Sequence, residues 1–239
     1  MSLYVTQPIR NDGFGAQYQT IINTILYCKK YNKNYVYTPI KNMEHNYDND
    51  KTFLNKAEEL MNIKKYKSIN DIDTKPIDTN IFQMINFFDN NIDKIAHQLK
   101  EVKDDFWQNK DKNIFNNDVF NIAVHIRRFN KHDNRIEGFR YASEEYYLNK
   151  INNLRQKYKD KKLLFHIYSQ GNIEDFIKYN ANDTILKINM NLFDTFKEMV
   201  GANALIMSKS SFSYTAAILS DGDIYYLNFW HPPMKHWYI

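Results

Sequence analysis

The sequence predicts an α/β protein whose parallel sheets are flanked by helices and arranged as two lobes. Three observations lead there. Beyond residue 118, short apolar strands alternate with helical segments through brief connections, the rhythm of a doubly wound parallel sheet. One strand lies in the tract NIAVHIRR (121–128) and ends in a histidine and two arginines. Another, ALIMSKSSFS (204–213), runs into a hydroxyl-rich turn that opens a helix.

In the first lobe, residues 3–7 read as a short apolar strand, followed by a turn at NDGFG (11–15). Tyr18, Ile21, Ile22, Ile25 and Leu26 recur at helical spacing and predict a helix over 16–30. A second strand covers 35–38 and is closed by Pro39. Helices are predicted over 52–63 and 81–99, with connections rich in Asn and Asp. Residues 104–118 are polar and aperiodic, so the boundary is placed there, giving lobes 1–115 and 116–239.

The second lobe is better defined. Strands are predicted over 119–127, 163–168, 184–188, 204–207 and 224–228, and helices over 143–158, 173–178, 192–200 and 211–219. Ser143 opens the first of these helices, with Glu144 and Glu145 in its first turn, where carboxylates suit the helix dipole.

Composition narrows the function classes. Lys and Arg exceed Asp and Glu by 32 − 28 = 4, an excess too small and dispersed to indicate nucleic acid, though it suits an anionic small ligand. The single Cys28 excludes an intramolecular disulfide and fits a reducing compartment. No stretch approaches the length of a membrane span, and residues 1–10 lack a leader's apolar core. A cytoplasmic protein without a transmembrane segment is the expectation.

The strand tract carries the first site. Ile122, Val124 and Ile126 fall on one face, and Ala123, His125 and Arg127 on the other, because strand side chains alternate. Ligands of parallel α/β sheets sit at the C-terminal ends of strands. Arginine there, with its planar fork of N–H groups, suits phosphate or carboxylate. A surface strand whose arginines bridge to nearby carboxylates fits the pattern equally well.

The serine turn carries the second. Unsatisfied N–H groups at a helix start, joined by the hydroxyls of Ser210, Ser211 and Ser213, can cradle phosphate; ordinary N-capping is the plainer alternative. Gly13 and Gly15 flank Phe14 between the first strand and helix, with Gln17 behind them. A third glycine of a dinucleotide fingerprint would fall at Tyr18, so only a tight turn remains. Glu137 follows the arginine strand and is a candidate general base. Metal-binding, serine-nucleophile and P-loop motifs are missing, so neither a metal nor another cofactor is expected.

Together these pieces resemble the α-1,2/α-1,6-fucosyltransferase superfamily, whose members have the GT-B fold of two Rossmann-like lobes facing across a cleft. DGFGAQ (12–17) is similar to that family's glycine turn, HIRR (125–128) to its H-x-R-R, and SSFS (210–213) to its serine motif. The resemblance implies that 1–115 is a reduced acceptor-side lobe and 116–239 the nucleotide-sugar lobe. It implies that Arg127 or Arg128 binds the β-phosphate, that Ser210, Ser211, Phe212 and Ser213 line the phosphates, and that His125 lies beside the nucleoside. Gly13, Gly15, Gln17 and Asp194 join the nucleotide site, Glu137 becomes the base, and Lys131 stabilises the leaving diphosphate. The implied reaction is metal-independent, inverting transfer of a sugar, with GDP-fucose foremost, to a hydroxyl of a glycan or glycoconjugate.

Asn130 stands where the resembling family has an acid, Gln170 and Gly171 replace an acidic pair, and Tyr214 and Thr215 replace paired tryptophans. Another nucleotide sugar, or a binding protein of the same fold that has lost catalysis, stays open. An RNA-binding module is a weaker third reading that no RNA-binding motif supports.

Overall fold

Two parallel sheets organise the chain in the computed structural model, which describes residues 3–115, 118–128 and 141–239. The sheets belong to two compact units, Met1–Lys110 and Asp111–Ile239.

In the first unit, β1 (Tyr4–Thr6) lies between β2 (Asn34–Tyr35) and β3 (Ile77–Asp78), both parallel to it. Helix α1 (Phe14–Lys30) is buried on nearly every side, which marks it as the centre of this unit. Its buried threonines are satisfied locally: Thr20 donates to the Ala16 carbonyl at 3.0 Å and Thr24 to that of Thr20 at 2.8 Å. The unit is completed by α2 (Phe53–Met61), α3 (Ile81–Asn91) and α4 (Ala96–Trp107).

Three expectations change here. Helix α1 starts at Phe14 rather than residue 16, so Gly15 belongs to the helix and Gly13 is its N-cap. The helix predicted over 81–99 is two helices, interrupted by a 3₁₀ turn at Ile92–Lys94. The second of them runs on into the stretch predicted to be aperiodic. Leu99, Val102 and Phe106 supply its buried stripe, while the intervening lysines and aspartates obscure the period. Asp105 is held by Lys65 and by the Tyr66 hydroxyl at 2.8 Å, which fixes this end of α4. The third change is β3, two residues long and beyond the reach of any periodicity argument.

The second unit follows its predicted rhythm closely: β4 (Phe120–His125), α5 (Glu144–Lys157), β5 (Leu163–Ser169), β6 (Thr184–Ile188), α6 (Leu192–Gly201), β7 (Ala204–Ile206), α7 (Ser211–Leu219) and β8 (Asp223–Tyr225). The helix predicted over 173–178 is a 3₁₀ segment, Ile173–Tyr179. The strand order is β6-β5-β4-β7-β8, with every neighbouring pair parallel. The order of the chain therefore reverses between β4 and β7.

Ile122 and Val124 share one face of β4 and, with Ile126 just beyond it and Phe165 and Ile167 of β5, pack against Tyr147, Ile151 and Leu154 of α5. Burying each such side chain stabilises the unit by roughly 1.5–3 kcal/mol. Ser143 caps α5 by accepting the Tyr146 N–H at 3.2 Å. The last strand is shorter than predicted, and the C-terminal residues return alongside it. Tyr226 donates its N–H to the Tyr238 carbonyl, and Tyr238 donates to that of Ile224, both at 2.8 Å, so the outer edge of β8 is covered.

Gly222 marks a close approach in the turn before β8. A Cβ there would sit 2.5 Å from the Ala202 carbonyl oxygen and 2.7 Å from that of Asn203, and backbone cannot swing aside. At Gly13 the obstacle is the tip of the His45 side chain, 2.7 Å away, which can rotate. Gly222→Ala is therefore expected to destabilise the protein by about 1–3 kcal/mol, and Gly13→Ala by less. Urea midpoints compare the two variants; equal losses would contradict the backbone argument.

Candidate functional site

Reversal of strand order places the ends of β4 and β7 side by side with their onward chains diverging, the position where open α/β sheets bind ligands. Val124 pairs with Ile206, so the H-x-R-R residues and the serine turn leave the sheet next to each other.

The turn is built by its own hydroxyls. Ser210 is the N-cap of α7 and accepts the Phe212 N–H at 3.2 Å. The buried Ser213 hydroxyl accepts the Ser208 N–H at 3.2 Å and reaches the Ser208 carbonyl at the same distance. Ser211 begins the helix itself. Arg127 then bridges the two strand ends, its Nη1 donating to the Ser210 Oγ at 3.2 Å across 83 residues of sequence. A guanidinium thus meets a helix N-terminus, whose unsatisfied N–H groups and dipole favour an anion.

Arg128 faces another way. It donates to the Glu144 carboxylate at 2.8 Å and to the Asp175 carbonyl at 3.2 Å, and lies over the Phe176 ring at 4.3 Å. Lys178 shares Glu144, and its hydrogen bond, seconded by the Arg128 charge, holds that carboxyl below the usual range. Arg128 therefore ties the end of β4 to the start of α5 and to the 3₁₀ segment. Of the two arginines, Arg128 forms the carboxylate bridge, and Arg127 turns to the serine cap.

His125 ends β4, its ring edge-on to Phe212 at 5.6 Å. Burial, aided by the Arg127 charge, pushes its pKa down to about 3, so it is neutral at physiological pH. Its Nδ1 is buried with no hydrogen-bond partner among the described residues. Phe212 also packs on Phe196 of α6 at 5.4 Å. Asp194, in the first turn of α6, is exposed.

Gly13, Gly15 and Gln17 lie in the first unit and have structural duties there. The space a Gly13 side chain would need is taken by His45, and Gly15 is buried within α1. The Gln17 amide donates to the carbonyls of Asp12 at 2.6 Å and Asn42 at 2.9 Å, joining two loops. Lys131 and Glu137 lie outside the described residues. Among the described residues no group of three or more His, Cys, Asp or Glu side chains is placed to hold a metal, and no helix is long and apolar enough to cross a membrane.

The supports of this site carry little signal in the sequence. Ser169 donates to the Ile126 carbonyl at 2.7 Å and pins the chain just before the arginines. Glu144 signalled only a helix start, yet it is the anchor of Arg128.

No family model and no curated protein matches this sequence. In structure the chain is similar to glycosyltransferases. The fucosyltransferase NodZ from Bradyrhizobium is 11% identical, with 92% of this chain and 94% of that one covered and a TM-score of 0.44. Escherichia coli heptosyltransferase WaaC, solved with ADP-2-deoxy-2-fluoro heptose, is 9% identical over 100% of this chain and 92% of that one, with a TM-score of 0.49. A mutant of Arabidopsis thaliana FUT1 in complex with GDP is 10% identical over 99% and 72%, with a TM-score of 0.45. At such identities and TM-scores the likeness stays with the path of the chain and gives no residue a role.

The second unit should be acid-sensitive for a reason located at this sheet. His166 of β5, beside Asn121 at 2.9 Å, is held neutral like His125, its pKa pushed down to about 4 by burial and by Lys187. Both histidines lie below their unfolded value near 6.5, so the unfolded chain takes up protons first as pH falls. Their contribution is fully present above about pH 6.5 and lost towards pH 3–4. At pH 5 each should have cost roughly 1–2 kcal/mol of stability. Urea unfolding at pH 7 and pH 5 tests this, with His125→Gln expected to flatten the difference; an unchanged slope in that variant would contradict it.

Proposed function

We propose that the protein is a glycosyltransferase that moves a sugar from a nucleoside diphosphate to a glycan hydroxyl. The observation that carries this reading is the junction of Arg127 with the serine N-cap of α7 at the reversal of strand order. A cation and a helix N-terminus brought together there suit a diphosphate. The H-x-R-R and serine motifs add the fucosyltransferase resemblance and favour GDP-fucose as the sugar donor. On this reading the second unit takes the nucleotide sugar and the first the acceptor.

The chemistry is a single displacement at the anomeric carbon. Glu137, assigned by its place in the motif, accepts the proton of the acceptor hydroxyl. The oxygen attacks the anomeric carbon, the bond to the diphosphate oxygen breaks, and the nucleoside diphosphate leaves with the electron pair. The configuration inverts. Arg127, the α7 N-terminus and Lys131 offset the charge that develops on the leaving group, without a metal ion. His125, neutral and next to Arg127, lines the nucleotide side. Arg128 acts through position, by fixing the end of β4.

Arg127→Ala should lower turnover on the order of a hundredfold or more, because one such hydrogen-bond donor is typically worth about 3–4 kcal/mol in the transition state. Arg128→Ala should instead lower the melting temperature, with a smaller loss of turnover. Near-normal turnover in Arg127→Ala would overturn the assignment. Glu137→Gln should keep nucleotide affinity and lose transfer; transfer at the parent rate would remove it as the base. The replacements Asn130, Gln170 and Gly171 motivate the second reading, a nucleotide- or glycan-binding protein without catalysis. Transfer or hydrolysis of any sugar nucleotide rejects that reading.

A further inference from the structure

We propose that a hollow in the first unit binds the acceptor by an anionic sugar residue, one that bears a carboxylate or a phosphate. Its role as an acceptor site rests on the glycosyltransferase reading above; the class of ligand follows from its lining. The hollow opens where the chain leaves β1 and β2, at the C-terminal ends of neighbouring parallel strands. It holds about 380 Å³ with its open mouth included. That is near the small end for ligand clefts and suits one sugar residue better than a whole nucleotide.

Its walls are tied together by hydrogen bonds within the protein. Gln7, just past β1, donates its Nε2 to the Thr38 carbonyl at 2.7 Å, and its Oε1 accepts the Tyr35 hydroxyl at 2.7 Å and the Thr38 N–H at 3.3 Å. The hydroxyls of Thr6 and Thr38 lie 2.7 Å apart. Pro8 follows Gln7 and Pro39 follows Thr38, so each exit contains a residue of fixed φ. From α1, Gln17 and Ile21 line the hollow one helical turn apart.

The polar groups left over define the ligand. Gln17 is 5% exposed, and its Nε2 donates to the carbonyls of Asp12 and Asn42, which leaves Oε1 without a donor among the described residues. A sugar hydroxyl supplies one. Arg10 donates from Nε and Nη2 to Asp12 and from Nη1 to the Thr20 hydroxyl at 3.0 Å, so one N–H remains on each Nη. Lys41 is exposed and has no ion-pair or hydrogen-bond partner among the described residues. No Asp or Glu side chain lines the hollow. Asp12 offsets part of the Arg10 charge, and Glu58 turns to the Ile40 N–H at 2.9 Å and to Lys64 at 3.4 Å. Two cations and one acceptor beside Ile9, Ile21 and Ile40 suit a ring with an apolar C–H face, hydroxyls and a negative charge.

Calorimetry of the full chain at low salt tests this with glucuronate, galacturonate, glucose 6-phosphate, glucose and inorganic phosphate, and with GDP, UDP and ADP in parallel. At least one of the three anionic sugars should bind saturably, and which one separates carboxylate from phosphate. Glucose and inorganic phosphate should bind more weakly. In Lys41→Gln the affinity for that sugar should fall about fivefold, with Lys41→Arg near the parent and nucleotide affinity unchanged. Lys41 holds nothing else in place, so both variants should melt with the parent. Equal affinity in Lys41→Gln, no binding of any anionic sugar, or equal binding of glucose would overturn the proposal. Inorganic phosphate bound as tightly as the sugar would also overturn it, by reducing the hollow to a bare anion site. Failure of all three nucleotides on the parent would count against the glycosyltransferase reading, while an anionic sugar bound in the same series would still uphold the hollow and its ligand class.

Discussion

The hydrogen bond from Arg127 to Ser210 depends on a constraint that precedes both residues: β4 and β7 are neighbours in space but not in sequence, and their onward chains must part. A parallel sheet covered by helices on both faces leaves only its strand ends accessible, so polar chemistry collects there. Between β4 and β7 the chain goes one way into the arginine tract and the other into α7, and the gap is lined by a guanidinium and a helix N-terminus. The rest of the unit holds those two groups still. Ser169 pins the strand before the arginines, Arg128 clamps its end to α5, and Ser213 closes the serine turn on itself.

The two faces of the sheet serve this differently. The α5 side is a dry core of aliphatic and aromatic side chains. The opposite side carries Asn121, His166 and Tyr168, with Glu198 of α6 bound by both the Tyr168 hydroxyl and Lys187. Buried polar groups that find partners specify one arrangement of strands and helix, where an apolar face would tolerate several. Packing of Phe196 and His125 on Phe212 carries that order to the first turn of α7.

Much of this was legible in the sequence. The apolar alternation of Ile122, Val124 and Ile126, the Ser143 cap and the serine-to-helix transition at 210–211 each follow from a local rule, and local rules need only neighbours along the chain. What escaped was set by distant partners. Nothing near Arg128 announces Glu144 and Asp175, and nothing near Gly13 announces the His45 ring that fills its space. The run of α4 beyond residue 99 hid behind lysines and aspartates that diluted the apolar period. In β3, two residues gave no period at all. Lys131 and Glu137 lie outside the described residues, and their roles rest on the motif resemblance alone.

The most direct measurement is calorimetric titration of the full chain, in EDTA, with a nucleoside diphosphate and its parent nucleoside, using the guanine, uracil and adenine pairs. If the junction of Arg127 and α7 holds a diphosphate, one diphosphate should bind saturably without metal while its nucleoside binds at least tenfold more weakly, about 1.4 kcal/mol. Equal affinity for the pair, or no binding of any diphosphate, would contradict a diphosphate site at the reversal of strand order.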